Sequence, residues 1–553
     1  MATFQVDTLL PHIPDDLTIP QFMLREMSGR PVRPRNVPFF IEDGTGRQVT
    51  YEEVHHRTFS LANALSLRWH VVCLMSPNNV DYMPTIWAVQ TLGGIVTPSN
   101  PSYNTEELVY QLLTTNAKLI VAHPQCLSTA AAAAKVVGLS QTSIILLSRG
   151  AGDYAHVEEL VSFGAGRPEN YKPVRLQPGE GRSALAFLAL SSGTTVVISH
   201  FNVIANVIQM GAHYHVNDPA PNKCRTPPGD IAMADIYGLV THFSLFCGMA
   251  VLVVPKFNFQ KFLDSIVRYR VTHLHLVPPQ ILLLCKQRIV KNYDLSHVKY
   301  CMSGAAPLGG ELMRQVSEIL PNASNRPRIR FVFCMTETCT TVAAFVADAR
   351  LGRIGSAGRL MPGTVAKVVK GDGTLAKEGE EGELWVKGPS MSLCYLNNAV
   401  STAETYVDGW VRTGDEVIIK DHEVYVVDRL KEIMKVRGFQ VAPAELEAHI
   451  LLHPDVADVC VVGIADEYNG EVPLAYIVPS VKALKAIGKD PVRHLDLKQT
   501  IRKHVSDAKV KYKHLAGGVE FIDAIPKNPS GKILRRVLRE RAKQDRKPIQ
   551  SRL

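Results

Sequence analysis

A run of small and hydroxyl residues follows an apolar segment in the first half of the chain. Residues 184–190 are apolar enough for a buried strand, and directly after them come Ser191, Ser192, Gly193, Thr194 and Thr195. Small residues around a glycine let backbone N–H groups surround a phosphate, and the hydroxyl groups add donors. A purely structural turn has the same composition, so the residues alone leave both interpretations open.

A second group of small residues follows another strand-like segment. Residues 300–302 read as a strand, and Ser303-Gly304-Ala305-Ala306-Pro307 follows. Small side chains let the backbone approach a flat aromatic base. A turn that caps a helix fits the same residues, so this segment is also open to two interpretations.

Charged residues separate a predicted hairpin from a predicted helix. Residues 417–419 and 424–426 are β-type runs on either side of a polar turn, which is typical of a hairpin. Pro443 then begins an apolar-periodic segment with acidic residues in its first turn, as helices often begin. The charged cluster between them, residues 428–432, is either a surface turn or a boundary between domains.

The surrounding elements predict an α/β fold. Helix and strand patterns alternate through residues 51–147 and 184–354, which is typical of a wound α/β sheet with helices on its faces. Residues 364–386 are rich in short strands and turns, and the part after residue 429 alternates β and α, with a polar insertion at 482–491. We predict a large N-terminal wound α/β domain with a β-rich subdomain, and a small, mobile C-terminal α+β lid.

Length and composition agree with this division. A chain of 553 residues exceeds a single core, so at least two domains are expected. We place them at residues 1–428 and 429–546, followed by a tail, 547–553. The net charge of +9 is concentrated near the end of the chain, where no aromatic residues interleave with the basic ones. We interpret these residues as a solvated helix face and expect no nucleic-acid partner.

Cysteine and histidine usage gives no metal site. The ten cysteines form no CxxC pair and no zinc-type spacing with histidine, which favours reduced thiols in an intracellular compartment. His273 and His275 lie two apart on a strand-like run without a third ligand nearby, and we interpret them as packing residues. The longest apolar stretch, residues 243–255, is too short to span a bilayer, so we expect no stable membrane anchor.

Several motifs in a fixed order resemble the adenylate-forming (AMP-binding) superfamily, and most closely its 4-coumarate–CoA ligases and fungal peroxisomal acyl-CoA ligases. The likeness extends from about Thr50 to about Arg539. It rests on the two small-residue segments above and on Phe333-Cys334-Met335-Thr336-Glu337, Thr413-Gly414-Asp415, Asp428-Arg429, Lys435, Gly438-Phe439-Gln440 and Pro526-Lys527-Asn528-Pro529-Ser530-Gly531-Lys532. The resemblance implies ligation of a carboxylic acid, aromatic or medium-chain, to coenzyme A through acyl-AMP, with ATP and Mg²⁺.

The resemblance also implies roles for individual residues. The residues on the nucleotide side would be Ser191, Ser192, Gly193, Thr194, Thr195, Gly304, Ala305, Phe333, Thr336, Asp415 and Arg429. The acid would contact Asp235, Tyr237, Gly238, Ser303 and Gln440. Glu337 would hold Mg²⁺, Lys431 would be the hinge, and the catalytic residues would be Lys532, which would bridge the carboxylate and the α-phosphate, and Lys435.

The sequence departs from the family pattern at several of these sites. After Thr195 the family continues with Gly-Leu-Pro-Lys-Gly, whereas this chain continues with Val196. Asp235 replaces a histidine, and Val332, Cys334 and Cys394 stand where glycine is common. Two alternatives therefore remain: a degenerate, non-catalytic relative, and an adenylating enzyme that passes its acyl group to another acceptor.

The last three residues, Ser551-Arg552-Leu553, resemble the Ser-Lys-Leu peroxisomal address. The residues before them are polar and charged, which would present the tripeptide to an import receptor. We therefore expect a peroxisomal location and the import receptor as a partner.

Overall fold

The computed structural model describes fourteen stretches of the chain. They are residues 3–25, 33–65, 70–150, 152–191, 194–216, 229–234, 239–304, 310–320, 329–345, 355–437, 439–466, 469–488, 490–527 and 533–545. The statements that follow concern these residues. No helix among them is both long and apolar enough to cross a membrane.

The first part of the chain alternates helices and short strands, as its pattern predicts. The helices are α1 (Ile19–Leu24), α2 (Tyr51–Leu65), α3 (Tyr82–Thr91), α4 (Thr105–Thr115), α5 (Leu127–Val136) and α6 (Val157–Ala165). The strands are β1 (Phe40–Glu42), β2 (Gln48–Val49), β3 (Val71–Met75), β4 (Ile95–Ser99), β5 (Leu119–Ala122) and β6 (Ile144–Leu146). Asn104 begins α4 with a capping box, which satisfies the free amides of the first turn.

The alternation continues to residue 344. The strands are β7 (Leu185–Ser191), β8 (Thr194–Ser199), β9 (Ile231–Ala234), β10 (Ala250–Val253), β11 (His273–Leu276), β12 (Tyr300–Ser303), β13 (Ile329–Phe331), β14 (Phe333–Met335) and β15 (Thr340–Ala344). The helices are α7 (His200–His213), α8 (Leu239–Phe246), α9 (Phe259–Arg268), α10 (Pro278–Lys286) and α11 (Gly310–Ile319).

Short strands dominate the next part, and a second α+β unit follows. The strands are β16 (Arg359–Leu360), β17 (Val365–Val369), β18 (Glu381–Lys387), β19 (Cys394–Tyr395), β20 (Tyr406–Val407), β21 (Trp410–Lys420), β22 (Glu423–Arg429), β23 (Met434–Val436), β24 (Phe439–Val441), β25 (Val456–Asp466), β26 (Gly470–Pro479) and β27 (Gly518–Phe521). The helices are α12 (Ala399–Thr405), α13 (Pro443–Ile450), α14 (Val481–Ile487), α15 (Pro491–Ala508) and α16 (Arg535–Asp545).

Two seven-stranded sheets form the body of the N-terminal part, with strand orders β13-β12-β11-β9-β10-β1-β2 and β19-β8-β7-β4-β3-β5-β6. Most neighbours are parallel, so helices must cross over the faces of the sheets. Strands of both sheets, together with α3, α7 and α8, contribute to one apolar core that includes the fully buried Trp87. The predicted wound α/β fold is confirmed.

A smaller sheet of β17, β18, β20, β21 and β22 forms the predicted β-rich subdomain. The lid sheet contains β23, β24, β25, β26 and β27 and has its own apolar core. The chain passes from one sheet to the other between Arg429 and Met434. Most of the described residues in the predicted polar insertion, 482–491, are exposed, and α14 occupies most of it and buries Ala483 and Ile487.

Candidate active site

The predicted phosphate-binding segment lies in a hairpin, which we call the phosphate hairpin (β7, Ser192-Gly193 and β8). Its strands pair as far as Leu190 with Thr195 and Ser191 with Thr194, so only the two residues Ser192 and Gly193 connect them. Those two residues lie outside the described part. At the point where the family continues with Gly-Leu-Pro-Lys-Gly, between Thr195 and Val196, β8 continues without interruption.

Thr194 and Thr195 have different surroundings in this hairpin. Thr194 is half-buried. Thr195 is 3% exposed, and its carbonyl accepts a hydrogen bond of 2.8 Å from the amide of Leu396. Its hydroxyl has no hydrogen-bond partner in the described structure. Of the two threonines, Thr194 is therefore the better placed to meet a phosphate.

The predicted adenine-side loop begins where β12 ends. Ser303 is fully buried, and its carbonyl accepts from the amide of Val332 at 2.9 Å. A Cβ atom placed on Gly304 would lie 3.4 Å from the Sγ atom of Cys334. Cys334 therefore packs against the loop whose backbone is predicted to face a base. Ala305 lies outside the described residues.

Phe333 and Thr336 lie on either side of Met335 at the end of β14. The Phe333 ring is 6% exposed and belongs to the second apolar core of the N-terminal part. Thr336 is half-buried and begins a short 3-10 turn, Thr336–Thr338. This turn places Glu337 directly after the segment that is predicted to hold the nucleotide.

Glu337 is held by two residues of a distant segment. Its Oε1 atom accepts a hydrogen bond of 2.9 Å from the Tyr395 hydroxyl, and its carbonyl accepts from the amide and the hydroxyl of Ser392 at 2.9 and 2.8 Å. Burial, and then the charge of Glu337, raise the pKa of Tyr395, so the phenol remains a donor. The sequence did not identify Tyr395 as a partner of Glu337. Its one signal was its position directly after Cys394, and the structure places both residues on β19, which pairs with β8.

Asp415 and Arg429 face each other across the β21–β22 hairpin. They are directly paired in the register, and the Nε atom of Arg429 lies 3.4 Å from Oδ1 of Asp415. Asp415 is 4% exposed, whereas Arg429 is largely exposed. A buried carboxylate beside a guanidinium suits the predicted contact with ribose hydroxyl groups, since an ionised carboxylate accepts hydrogen bonds.

The lid reaches the neighbouring residue, Glu416. With its amide turned to donate, the side-chain nitrogen of Gln440 lies 2.9 and 3.0 Å from the two carboxylate oxygens of Glu416. Burial raises the pKa of Glu416, and the charges of Glu381 and Asp428 raise it further. Lys435 is exposed and pairs with Gln440 in the register, so the two side chains share a face of the lid hairpin.

The predicted hinge residue lies between the two sheets. The carbonyl of Lys431 accepts a hydrogen bond from Arg539 of α16, and its side chain is exposed. Just before it, Asp428 accepts from the amide of Ala444 at 2.9 Å, at the start of α13. Burial raises the pKa of Asp428. A single carboxylate at the boundary is thus bonded to the first helix of the lid.

Some predicted residues lie outside the described part: Ser192, Gly193, Asp235, Tyr237, Gly238, Ala305 and Lys532. The residues on both sides of the Lys532 segment are described. Lys527 forms an antiparallel β-bridge with Ile533, and the amide of Leu534 donates a hydrogen bond of 2.8 Å to the carbonyl of Pro526. The ends of this segment are therefore held together. Within the described residues, no three potential ligands cluster as a metal site.

Family models match most of the chain. The AMP-binding enzyme model covers residues 30–396, and the model of the C-terminal domain of AMP-binding enzymes covers residues 445–532. The chain belongs to the AMP-binding enzyme family, also called the adenylate-forming superfamily, as the motifs predict.

Its relatives include named CoA ligases. It is 30% identical to acyl-CoA ligase gloD of Glarea lozoyensis over 97% of both chains. It is 32% identical to 4-coumarate–CoA ligase 5 of Oryza sativa subsp. japonica over 95% of both. It is 33% identical to peroxisomal OPC-8:0-CoA ligase 1 of Arabidopsis thaliana, over 90% of this chain and 89% of that one. These relatives support acid–CoA ligation through acyl-AMP.

Solved structures share the fold. The anthranilate CoA ligase AuaEII, in complex with anthranoyl-AMP, matches with a TM-score of 0.81 at 20% identity, over 96% of this chain and 98% of that one. The large N-terminal and small C-terminal domains correspond to the architecture described above.

Proposed function

We propose that this chain is an ATP-dependent acid–CoA ligase that activates an aromatic or medium-chain carboxylic acid through acyl-AMP. The observation that carries the proposal is the meeting of nucleotide-side and lid residues at two adjacent positions of β21. Asp415 faces Arg429, and Glu416 accepts from Gln440 of the lid. A lid residue therefore contacts the strand that carries the predicted ribose-binding carboxylate.

In the first half-reaction, the acid carboxylate attacks the α-phosphate of ATP and pyrophosphate leaves. Lys532 neutralises charge on the carboxylate and the α-phosphate, while Asp415 orients the nucleotide through its ribose. Positioned charges of this kind often supply a large part of catalysis. Ser191 and Thr194 pair with each other directly beside the short connection of the phosphate hairpin, so their hydroxyl groups flank it.

Glu337 is the residue that would hold Mg²⁺. A single protein carboxylate is a usual partner for this ion when nucleotide phosphates and water supply its other ligands. The hydrogen bonds from Tyr395 and Ser392 fix the position of Glu337. The ion would neutralise the phosphates of ATP as charge develops on them.

In the second half-reaction, the thiol of coenzyme A attacks the acyl carbon and AMP leaves. The lid must move so that Lys532 withdraws and the thiol can enter, and residues 429–433 are where that rotation would occur. Lid motions of this kind gate many enzymes. Lys435 and Gln440 share the face of the lid hairpin that would turn toward acyl-AMP.

A second candidate function is a non-catalytic AMP-binding protein. The two-residue connection of the phosphate hairpin favours it, because the lysine that the family places there is absent. The contact of Cys334 with Gly304 also favours it, since the sulfur takes space beside the predicted base site.

We also propose peroxisomal import. It is supported by the resemblance of Ser551-Arg552-Leu553 to the import address and by the similarity to the peroxisomal ligase of Arabidopsis thaliana. The tail lies outside the described residues. A fluorescent fusion at the N-terminus should localise to peroxisomes, and deletion of the tripeptide should leave it in the cytosol. Cytosolic fluorescence of the intact chain would contradict this proposal.

Product analysis tests the main proposal. Purified protein is incubated with ATP, Mg²⁺ and a panel of aryl and medium-chain acids, with and without coenzyme A. We expect an acyl-CoA product that Asp415→Asn reduces by about tenfold to a hundredfold, because a charged hydrogen bond to the substrate is weakened. Asp372→Asn, which changes an exposed turn carboxylate of the β-rich subdomain, is the matched control. An acyl product formed only with an amine or a carrier would contradict coenzyme A as the acceptor.

A further inference from the structure

Three histidines of the lid lie together, and we call them the histidine cluster (His449, His453 and His504). His449 belongs to α13 and His504 to α15, and their rings stack with centroids 4.3 Å apart and planes inclined by 7°. The ring of His453 meets the ring of His504 edge-on, with centroids 5.3 Å apart. Charges this close repel one another, so protonation of several of these rings would strain the cluster.

The hydrogen bonds of the cluster show where its rings carry protons. Nε2 of His449 lies 3.0 Å from the carbonyl of His504, and Nε2 of His504 lies 3.1 Å from the carbonyl of His449. Since a carbonyl only accepts, both Nε2 atoms carry protons. Nδ1 of His453 accepts a hydrogen bond of 3.2 Å from the amide of Asp455. His453 therefore lacks a proton on Nδ1, and its ring is neutral.

His453 lies where the lid meets the N-terminal domain. Its relative exposure is 5%. Before it in the chain, Leu451 packs against the cores of both domains. After it, the carbonyl of Val456 accepts a hydrogen bond of 2.5 Å from Nζ of Lys286, the last residue of α10. The ammonium group of one domain therefore faces the loop of the other domain that contains His453.

Charged groups on several elements face either the cluster or Lys286. They are Glu445 of α13, Asp455, Asp458 of β25, Lys286 itself and Lys509 after α15. Glu445 is paired with two lysines, Lys509 and Lys513, at 2.8 and 2.5 Å. Asp458 is paired with Lys527 at 2.6 Å. Lysines thus compensate these two carboxylates, which leaves them less able to neutralise a charge that the cluster gains.

The surroundings favour the neutral rings that the hydrogen bonds require. Burial lowers the pKa of both His449 and His453, and the charge of His504 lowers both further. Lys286 also lowers the pKa of His453, whereas Asp455 raises it. In this position of the lid, which we call docked, His453 therefore gains a proton only below the pH at which an ordinary histidine does.

We propose that the histidine cluster is a pH-sensitive latch, in which protonation of His453 releases the lid from its contact with α10. A protonated Nδ1 atom cannot accept from the amide of Asp455, and the new charge repels the ammonium of Lys286. The hydrogen bond from Lys286 to Val456 is then lost, and the lid separates from α10. This inference goes beyond the proposed function and does not rest on it, because the release needs no substrate.

The direction of the pH dependence follows from proton binding. The docked lid keeps His453 neutral, whereas a released lid returns it toward the ordinary histidine pKa of about 6.5. Below that pH the released form binds more protons than the docked form, so docking weakens as the pH falls. For one histidine that stays neutral while docked, the ratio of docked to released molecules falls about tenfold between about pH 7.5 and pH 5.5.

Single-molecule energy transfer between dyes on the two domains tests the proposal. The dyes are attached at the exposed Val136 of α5 and the exposed Val492 of α15, and docked and released molecules of the full chain are counted without ligand. We expect the ratio of docked to released molecules to fall about tenfold between about pH 7.5 and pH 5.5. An unchanged ratio, or no detectable released molecules at the lower pH, would overturn the proposal.

Variants assign the effect to the latch. His453→Gln should remove most of the fall, because glutamine can accept from the amide of Asp455 without gaining a charge. Lys286→Met should release more molecules near neutral pH and show a smaller fall. His494→Gln, at a half-buried histidine near the start of α15, is the matched control and should keep the full fall. A full fall in His453→Gln would overturn the role of His453.

Hydrogen exchange separates release of the lid from its unfolding. After correction for the intrinsic exchange rate, protection of α13 and α15 should be similar near pH 7.5 and pH 5.5. Preserved protection together with a falling ratio would support the latch. Loss of protection in both helices at the lower pH would show that the cluster only maintains the fold of the lid, and it would overturn the proposal.

Discussion

His200 shows how a single buried ionisable residue links the start of the chain to its core. It is 2% exposed at the beginning of α7, and its Nδ1 atom accepts a hydrogen bond of 3.1 Å from the amide of Ile19. Burial lowers the pKa of His200 to about 3. A ring that accepts through Nδ1 must lack a proton there, so the geometry also requires the neutral form.

This residue predicts a pH dependence of stability. Between the ordinary histidine pKa near 6.5 and the folded value of about 3, the unfolded chain binds a proton that the folded chain does not. The contribution of His200 to stability is therefore lost as the pH falls through this window, by up to about 1.4 kcal/mol per pH unit. His200→Gln should reduce the slope of the free energy of unfolding against pH by that amount.

Urea unfolding of the N-terminal domain between about pH 4 and pH 6 measures this slope. His70→Gln, which changes an exposed histidine, is the control and should keep the slope of the unaltered chain. An unchanged slope in His200→Gln would contradict a neutral, buried ring.

Individual site residues differed in how far the sequence could predict them. Asp415 and Arg429 were predicted to serve the same ribose, and the structure pairs them because they are opposite each other in one hairpin. Tyr395 was missed as a partner of Glu337, because the contact depends on β19 adding to β8, nearly two hundred residues earlier.

At the scale of elements, the phosphate hairpin carries the main departure from the family. β7 and β8 are paired up to Ser191 and Thr194, and β19 extends the same sheet by pairing with Val196 and Val197. The hydrogen bond from Leu396 to Thr195 continues this pairing toward the turn. Strand β8 is therefore held by β7 on one side and by β19 on the other. The connection that would meet a phosphate is only two residues long.

Lengthening the connection should raise activity. Insertion of Gly-Leu-Pro-Lys-Gly between Thr195 and Val196 keeps the pairing of residues 196–199 with β7. It opens the pairs at Thr194 and Thr195, which makes the connection longer, and it adds a cation near the phosphates. We expect acid-dependent exchange to increase by about tenfold or more, since charge stabilisation near a transferring phosphate is a large term. Insertion of Gly-Gly-Ser-Gly-Gly is the control for length. Equal rates for both insertions would contradict a role for the lysine, and no gain would contradict the importance of the loop.

Helix α16 contains a buried ion-pair cluster at the base of the lid. Arg535 pairs with Glu432 and with Glu447, whose Oε2 atom lies 2.5 Å away. Glu447 also accepts from the amide of Val461 at 2.8 Å. Burial raises the pKa of Glu447 and opposes its ionisation, whereas the charge of Arg535 favours it. Arg535 therefore pairs with two carboxylates, Glu432 and Glu447, that follow the predicted hinge residue in the chain.

Removal of this arginine should destabilise the lid. Arg535→Met leaves the buried Glu447 and the half-buried Glu432 without their cation, and loss of the partner of a buried charge typically costs about 3–5 kcal/mol. Arg536→Met, at the next residue, removes an exposed arginine and should cost less than about 1 kcal/mol. Urea unfolding followed by a probe in the lid compares the two variants. Similar midpoints would contradict the structural importance of Arg535.

The sequence predicted most elements and missed those that depend on tertiary packing. The β21–β22 hairpin and the start of α13 follow from β-branched runs, a polar turn and Pro443. The polar composition of residues 482–491 concealed α14, which is fixed by burying only Ala483 and Ile487. The basic residues of α16 were expected to be solvated together, yet Arg535 is half-buried because two acidic side chains from distant segments pair with it.

At the scale of the molecule, the two domains meet through polar contacts. Gln440 reaches Glu416, and Lys286, at the end of α10, donates to the carbonyl of Val456 at 2.5 Å. Leu451 packs against the cores of both domains. Polar contacts of this kind can be broken and re-formed, as the proposed lid motion between two half-reactions requires.

Acid-dependent exchange of pyrophosphate into ATP measures directly whether this site activates a carboxylic acid as acyl-AMP. The unaltered, purified chain is assayed over a panel of aryl and medium-chain acids, with Asp415→Asn as the site variant. We predict exchange that requires both the acid and Mg²⁺ and that falls about tenfold to a hundredfold in Asp415→Asn. Absence of exchange with every acid, from folded protein that still binds AMP in calorimetry, would contradict the account and identify a non-catalytic member of the family.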